Sequence, residues 1–203
     1  PKYLPADEYL SGNVREKLAI AKRSAELHPE DYGENVRALE AVQPVDLTAS
    51  EISVRLGATW LTLEIIEEFM FELFSTPRYC QWNIHVHYAQ YTGEWNVEGK
   101  SYDRSNVKAY NTYGTGRVNG YKIMEETLNL RDVRIFDYIE DGNGMKTALL
   151  NKKETAIAQG KQELIKQAFA DWIWSDPERR EQLTKLYNEK FNSIRPASMT
   201  AAT

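Results

Sequence analysis

At 203 residues with a net charge of -5, the chain is long enough to bury roughly 70% of its unfolded surface in one domain or two small ones, so a core can form without disulfide or metal staples. Apolar residues at 42% and charged residues at 27% are ordinary for a water-soluble globular protein, and no run approaches the ~18 apolar residues of a membrane span. The single cysteine, Cys80, excludes an internal disulfide framework and a cysteine-rich zinc site, and it fits a reducing, cytoplasmic setting.

A start on Pro1 with no methionine and no secretory signal predicts a piece excised from a longer protein. Asn13 with Glu16 forms a capping-box start, and Val14, Leu18, Ala21 and Ala25 then share a helical face until Pro29. Asp31 with Glu34 opens a second helix through Val36 and Leu39, closed near Pro44. Thr48 with Glu51 opens a third, which turns Ile52 and Leu56 inward and stops at Gly57. A fourth, from Thr62 to Phe74, buries Ile65, Ile66, Phe69, Met70 and Leu73 and carries acids on its other face.

From Arg78 the period changes to two. Trp82, Ile84, Val86 and Tyr88 alternate with Asn83, His85 and His87, and Trp95 and Val97 repeat the alternation after Thr92 and Gly93, which predicts a hairpin. Val118 to Leu128 reads as a helix, and Val133 to Leu150 as a second hairpin turning at Asp141 to Gly144. Asn151 with Glu154 starts a long helix to Trp174. Asp176, Pro177 and Glu178 start the last one, which reaches Phe191. The expected architecture is α+β, helical at both ends around small antiparallel hairpins: a helical subdomain at 1–76, an α+β domain at 77–196 and a disordered tail at 197–203.

The segment Asn111 to Tyr121, NTYGTGRVNGY, combines three glycines, Arg117 and two tyrosines between strand-like and helix-like sequence. No core-building rule asks for that mixture. Between Lys100 and Lys122 lie five cations (Lys100, Arg104, Lys108, Arg117, Lys122) and one anion, Asp103. The window is therefore +4 within a total of -5, leaving -9 for the rest. Such asymmetry can steer a polyanion. Glycines allow positive φ or close approach, cations suit phosphate, and interleaved tyrosines permit base stacking. The alternative for the same window is a solvated basic loop.

Other constellations carry less. His85 and His87 share a strand face, but a structural zinc needs two more ligands and Cys80 has the other parity. The loop DGNGMKT, Asp141 to Thr147, lacks the glycine before its lysine that a phosphate loop requires, and a hairpin turn accounts for it better. Thr48 to Phe71 has the spacing of a helix-turn-helix, yet its second helix carries Glu64, Glu67, Glu68 and Glu72, which would repel phosphates. Adjacent acids such as Glu125 and Glu126 do not face one another on a helix and make no acid/base dyad.

The chain resembles the large helicase-methylase proteins of conjugative elements and phages, in which an adenine-N6 DNA methylase region precedes a DEAD/DEAH, Snf-type helicase motor. The likeness rests on YLSGNVREKL (Tyr9 to Leu18), QPVDL (Gln43 to Leu47), LGATW (Leu56 to Trp60), NTYGTGRVNGY, LNLRDVRIFD (Leu128 to Asp137), LNKKET (Leu150 to Thr155) and the stretch from Asp171 to Pro196. The resemblance implies the region just ahead of the motor. For the parent it implies ATP with magnesium and S-adenosylmethionine, and for this piece no cofactor. The methylase Asn/Asp-Pro-Pro-Tyr motif, the Walker lysine and the Asp-Glu box have no counterpart here, so no catalytic residue carries over and the piece is expected to be non-catalytic.

Two functions follow as expectations. In the first, the basic window contacts DNA and couples methylase and helicase domains: Lys100, Arg104, Arg117 and Lys122 meet phosphate, Tyr110 and Tyr113 stack, Gly114 and Gly116 allow close approach, and Thr115 and Asn119 complete the site. In the second, the piece is a structural spacer or docking module within the same protein. A third, weaker possibility is an independent enzyme using His85 or His87. No membrane partner is expected.

Overall fold

The computed structural model describes residues 4–140 and 142–197. In chain order these form α1 (Ala6–Tyr9), β1 (Gly12–Asn13), α2 (Val14–Leu27), α3 (Pro29–Ala41), a 3-10 turn (Ala49–Glu51), α4 (Leu63–Phe74), α5 (Arg78–Gln81), β2 (His85–Ala89), β3 (Glu94–Glu98), a π turn (Lys108–Thr112), α6 (Gly120–Leu128), β4 (Phe136–Glu140), β5 (Lys146–Leu150), α7 (Lys152–Ile173), α8 (Pro177–Phe191) and β6 (Ile194–Arg195). The described strands pair only as three antiparallel ribbons, β1–β6, β2–β3 and β4–β5. The fold is α+β.

Two compact units make up the chain: Pro1–Ser53 with Glu178–Thr203, and Val54–Pro177. In the first unit Asn13 accepts from the Glu16 N–H at 3.1 Å and donates to the Glu16 carboxylate at 3.1 Å, which fixes the start of α2. Val14, Ala21 and Leu39 form its core, with Leu18, Val36 and Val42 against them. β1 lies beside β6, Gly12 opposite Arg195. The buried Asn188 of α8 accepts from Leu47 N–H at 2.8 Å and donates to Leu47 C=O at 2.9 Å. These long-range bonds bring 178–197 to the N-terminal segment.

The second unit is built around α4 and α7. Phe69 of α4 meets Phe169 of α7 edge-on at 5.1 Å, and Ile66, Met70, Phe74, Ile165 and Ile173 are fully buried with them. Each such side chain contributes about 1.5–3 kcal/mol by burial. β2–β3 supplies Val86, Trp95 and Val97, and α6 supplies Tyr121, Ile123, Met124 and Leu128. The helix-turn-helix spacing is thus absorbed by packing.

Three expectations change. The predicted boundary after residue 76 gives way to the division above, because α4 packs on β2 and α7 while α8 returns to the first unit; hydrophobic period cannot report such pairings. The third helix is only the 3-10 turn. Thr48 N–H does donate to Glu51 at 2.8 Å, but Ile52 is already extended at φ -93°, ψ 114°, and the β-branched Ile52 and Val54 favour that state. Trp82, expected on the buried face of the first hairpin, follows α5 and is 82% exposed. In the second hairpin, Asp141 lies outside the described residues, as does the expected tail from residue 198 onward.

Candidate functional site

The glycine-tyrosine crossing runs from the end of β3 to the start of α6, and its polar groups are bonded inward. Asn106 opens it: its amide donates to Phe74 C=O at 2.9 Å and to Asp103 at 2.5 Å, while its oxygen accepts from Ala109 N–H at 3.0 Å. The π turn follows, closed by Tyr113 N–H on Lys108 C=O at 2.8 Å and by Lys161 of α7, whose ammonium donates to the carbonyls of Asn111 and Thr112 at 3.0 Å each. Thr115 then accepts from Arg117 N–H and Val118 N–H at 3.1 and 3.2 Å. Asn119 caps α6 by accepting from Lys122 N–H at 2.9 Å, and donates to Lys100 C=O at 2.9 Å and Tyr110 hydroxyl at 3.2 Å.

The glycines serve this internal geometry. A Cβ on Gly114 would lie 2.3 Å from Ala109 C=O, so the close approach that requires glycine is to the protein's own backbone. Gly116 is different: nothing lies within 4 Å of its Cβ position. Tyr113 is half-buried, 6.0 Å from the Phe74 ring, and Tyr110 is half-buried on Asn119.

Three of the four expected phosphate contacts hold carboxylates. Glu125 of α6, its side chain only 7% exposed, receives Lys100 and, at 2.6 Å, Lys122, and accepts from Val97 N–H at 2.9 Å. Lys122 also reaches Glu126 at 2.8 Å. Burial pushes the Glu125 carboxyl up, but the hydrogen bonds from Lys100, Lys122 and Val97 outweigh it and hold it below the usual range. Burial likewise pushes Lys122 down, and the bonds to Glu125 and Glu126 outweigh that and hold it above its ordinary value. Arg117 donates to Asp137 at 2.8 Å and to Phe136 C=O at 2.9 Å, and its hydrogen bond is the first cause that keeps Asp137 low. The cations remain partly wet: Lys100, Arg117 and Lys122 are 29%, 40% and 44% exposed. Arg104 is exposed and bonded only to Ser101 C=O, at 3.2 Å, among the described residues.

A second polar cluster lies beneath. Buried Asp103 accepts from Tyr121 hydroxyl at 2.9 Å and from Cys80 Sγ at 3.8 Å, and Tyr121 hydroxyl meets Thr76 hydroxyl at 2.7 Å. Burial is the main cause that pushes both the Tyr121 hydroxyl and the Cys80 thiol up, with Asp103 adding to each. These groups stay protonated at neutral pH and act as donors. The single anion in the basic window was the available signal for Asp103. Glu125, one turn after Lys122, had the weaker signal of i,i+3 spacing.

His85 and His87 lie on the exposed face of β2. His87 sits 3.0 Å from Glu98 and His85 3.5 Å from Glu67. No group of three metal-ligating side chains occurs among the described residues. Neither histidine lines the cleft of about 760 Å³ beside β4 or the one of about 340 Å³ floored by Leu56 and Phe169.

A family model described as Domain of unknown function (DUF8437) matches residues 55–193. No curated protein and no solved structure matches the chain.

Proposed function

The chain belongs to the family described as Domain of unknown function (DUF8437), and we propose that it serves as a non-catalytic coupling and docking domain, in which the glycine-tyrosine crossing is a structural junction. The observation that carries this reading is the inward use of charge: Lys100 and Lys122 converge on buried Glu125, and Arg117 is held by Asp137. A phosphate would have to compete with carboxylates already in hydrogen-bond contact, so each such cation gains little from a polyanion. In the setting that the sequence resemblance implies, the bodies coupled would be the methylase and helicase domains of one large DNA-processing protein.

Titration of the chain with duplex, forked and single-stranded DNA at several salt concentrations tests this. The reading expects weak binding with a shallow salt slope, unchanged by Arg117→Ala with Lys122→Ala. A steep slope that this double variant reduces would overturn it.

One observation favours a second reading. Arg104 and Lys108 are exposed without a carboxylate partner among the described residues, near the 62%-exposed Tyr102. DNA contact through those three residues would make the salt slope depend on Arg104→Ala with Lys108→Ala, and on neither Arg117 nor Lys122.

A further inference from the structure

The cleft of about 340 Å³ in the second unit lies between the end of α6, the C-terminal half of α7 and the segment 54–56. That volume is at the small end of the roughly 300–1,000 Å³ of small-molecule sites, so it suits one compact molecule. Its floor is apolar: Leu56 and Phe169 are buried there, while Leu130 and Ala170 line it from exposed positions.

α6 ends in a Schellman turn, in which Leu130 N–H donates to Thr127 C=O at 3.0 Å and Arg131 N–H to Glu126 C=O at 2.9 Å. Glycine is the usual residue at the left-handed position of that turn. Here leucine holds it, at φ 59°, and is 57% exposed. Core burial therefore does not offset the backbone cost of a left-handed leucine. What the side chain does supply is apolar wall for the cleft.

The main chain around the cleft is fixed. Gln162 of α7 donates to Arg131 C=O at 2.8 Å and accepts from Val133 N–H at 3.2 Å, which pins the chain on both sides of Asp132. Gly57 lies so close to Leu128 C=O that a Cβ would meet it at 2.2 Å, and this holds the segment 54–56 against the end of α6.

Four charged side chains line the cleft: Arg55, Arg131, Asp132 and Lys166. Arg131 is taken by Glu126 and Glu94 at 3.1 and 3.5 Å, and Lys166 by Glu163 at 2.7 Å. Arg55 and Asp132 are exposed, and among the described residues neither holds an oppositely charged partner, nor do they pair with each other. One cation and one anion therefore stand uncompensated beside an apolar floor.

We infer that this cleft binds a free apolar amino acid of the leucine or phenylalanine class. Its carboxylate pairs with Arg55, its ammonium with Asp132, and its hydrocarbon side chain covers Leu56, Leu130 and Phe169. A ligand with one charge would engage only one of the two groups, and a neutral apolar one neither, so the zwitterion is the chemistry that matches the whole cleft.

The test titrates the whole chain, labelled with nitrogen-15, with leucine and phenylalanine, and with N-acetyl-leucine, leucinamide and glycine as controls. Expected are saturable shifts confined to residues 54–57, 127–133 and 162–170, with each control at least about tenfold weaker. Arg55→Gln should weaken leucine at least about tenfold and leave leucinamide, which has no carboxylate, unchanged; Asp132→Asn should do the same for leucine and leave N-acetyl-leucine unchanged. Leu130→Gly relieves the left-handed backbone, so the urea midpoint does not fall while leucine affinity does. The inference is overturned if neither amino acid saturates below about 10 mM, if the blocked derivatives bind as well as leucine, or if both charge variants bind leucine undiminished. DNA binding through the crossing does not involve this cleft, so failure of the amino-acid site and failure of the coupling reading are read out separately.

Discussion

Removing the Glu125 carboxylate should cost the second unit more than any other single change in the crossing. Glu125→Ala leaves Val97 N–H, buried in β3, without its acceptor, a loss of about 1–3 kcal/mol. It also frees two ammonium groups. Breaking a fully buried pair costs about 3–5 kcal/mol, but Lys100 and Lys122 are 29% and 44% exposed and regain water, so freeing them adds only about 1 kcal/mol to a Val97 loss of about 2, and the total is about 3 kcal/mol. Glu125→Gln keeps an acceptor for Val97 and loses only the charge, at about 1–2 kcal/mol. Urea unfolding followed by tryptophan fluorescence reads this unit alone, because Trp60, Trp82, Trp95, Trp172 and Trp174 all fall within Val54–Pro177. The pH dependence gives a second signature. The folded Glu125 carboxyl lies below its ordinary value, so its contribution is complete above the unfolded pKa of about 4.3 and is lost as pH falls through the folded value. Wild type and Glu125→Gln should therefore differ at pH 7 and converge in acid. A Gln variant as stable as wild type at pH 7, or a gap that persists through the acid range, would refute the reasoning.

The other consequences are measured the same way. Gly114→Ala pushes a Cβ to 2.3 Å from Ala109 C=O and should cost at least about 2 kcal/mol, whereas Gly116→Ala, with open space around it, should be neutral or stabilising by up to about 1 kcal/mol; equal effects would contradict the close-approach argument. Tyr121→Phe removes the donor to buried Asp103 and should cost about 1–3 kcal/mol by urea unfolding. Cys80 is buried with its thiol pushed up, so alkylation at pH 8 should proceed only as fast as the second unit opens, and a rate independent of urea below the transition would show an accessible thiol.

Local signals read well from the sequence. Caps at Asn13 and Asn151, the start at Pro177, the end at Leu128 of the helix read from Val118 and observed from Gly120, and the alternation through Val86 and Val97 all depend on neighbours within a few residues, which is the range over which propensity and period act. What escaped was non-local. The β1–β6 pairing joins residues 12–13 to 194–195, and no periodicity within either segment announces the other. The ion pairs of the crossing escaped for a related reason: its unusual composition was legible, but the direction of its charges depends on Glu125 and Asp137, which arrive from α6 and β4. A basic stretch whose anions lie downstream in the chain looks, in one dimension, the same as one waiting for a polyanion.

The most direct measurement compares the salt dependence of forked-DNA binding for the unmodified chain and for Glu126→Gln with Asp137→Asn, which takes the carboxylate from Arg117 and one of two from Lys122 while leaving Glu125 in place. If internal carboxylates neutralise the crossing, the unmodified chain shows a shallow slope and the double variant acquires a steeper one. A steep slope in the unmodified chain that Arg117→Ala with Lys122→Ala flattens would contradict the account.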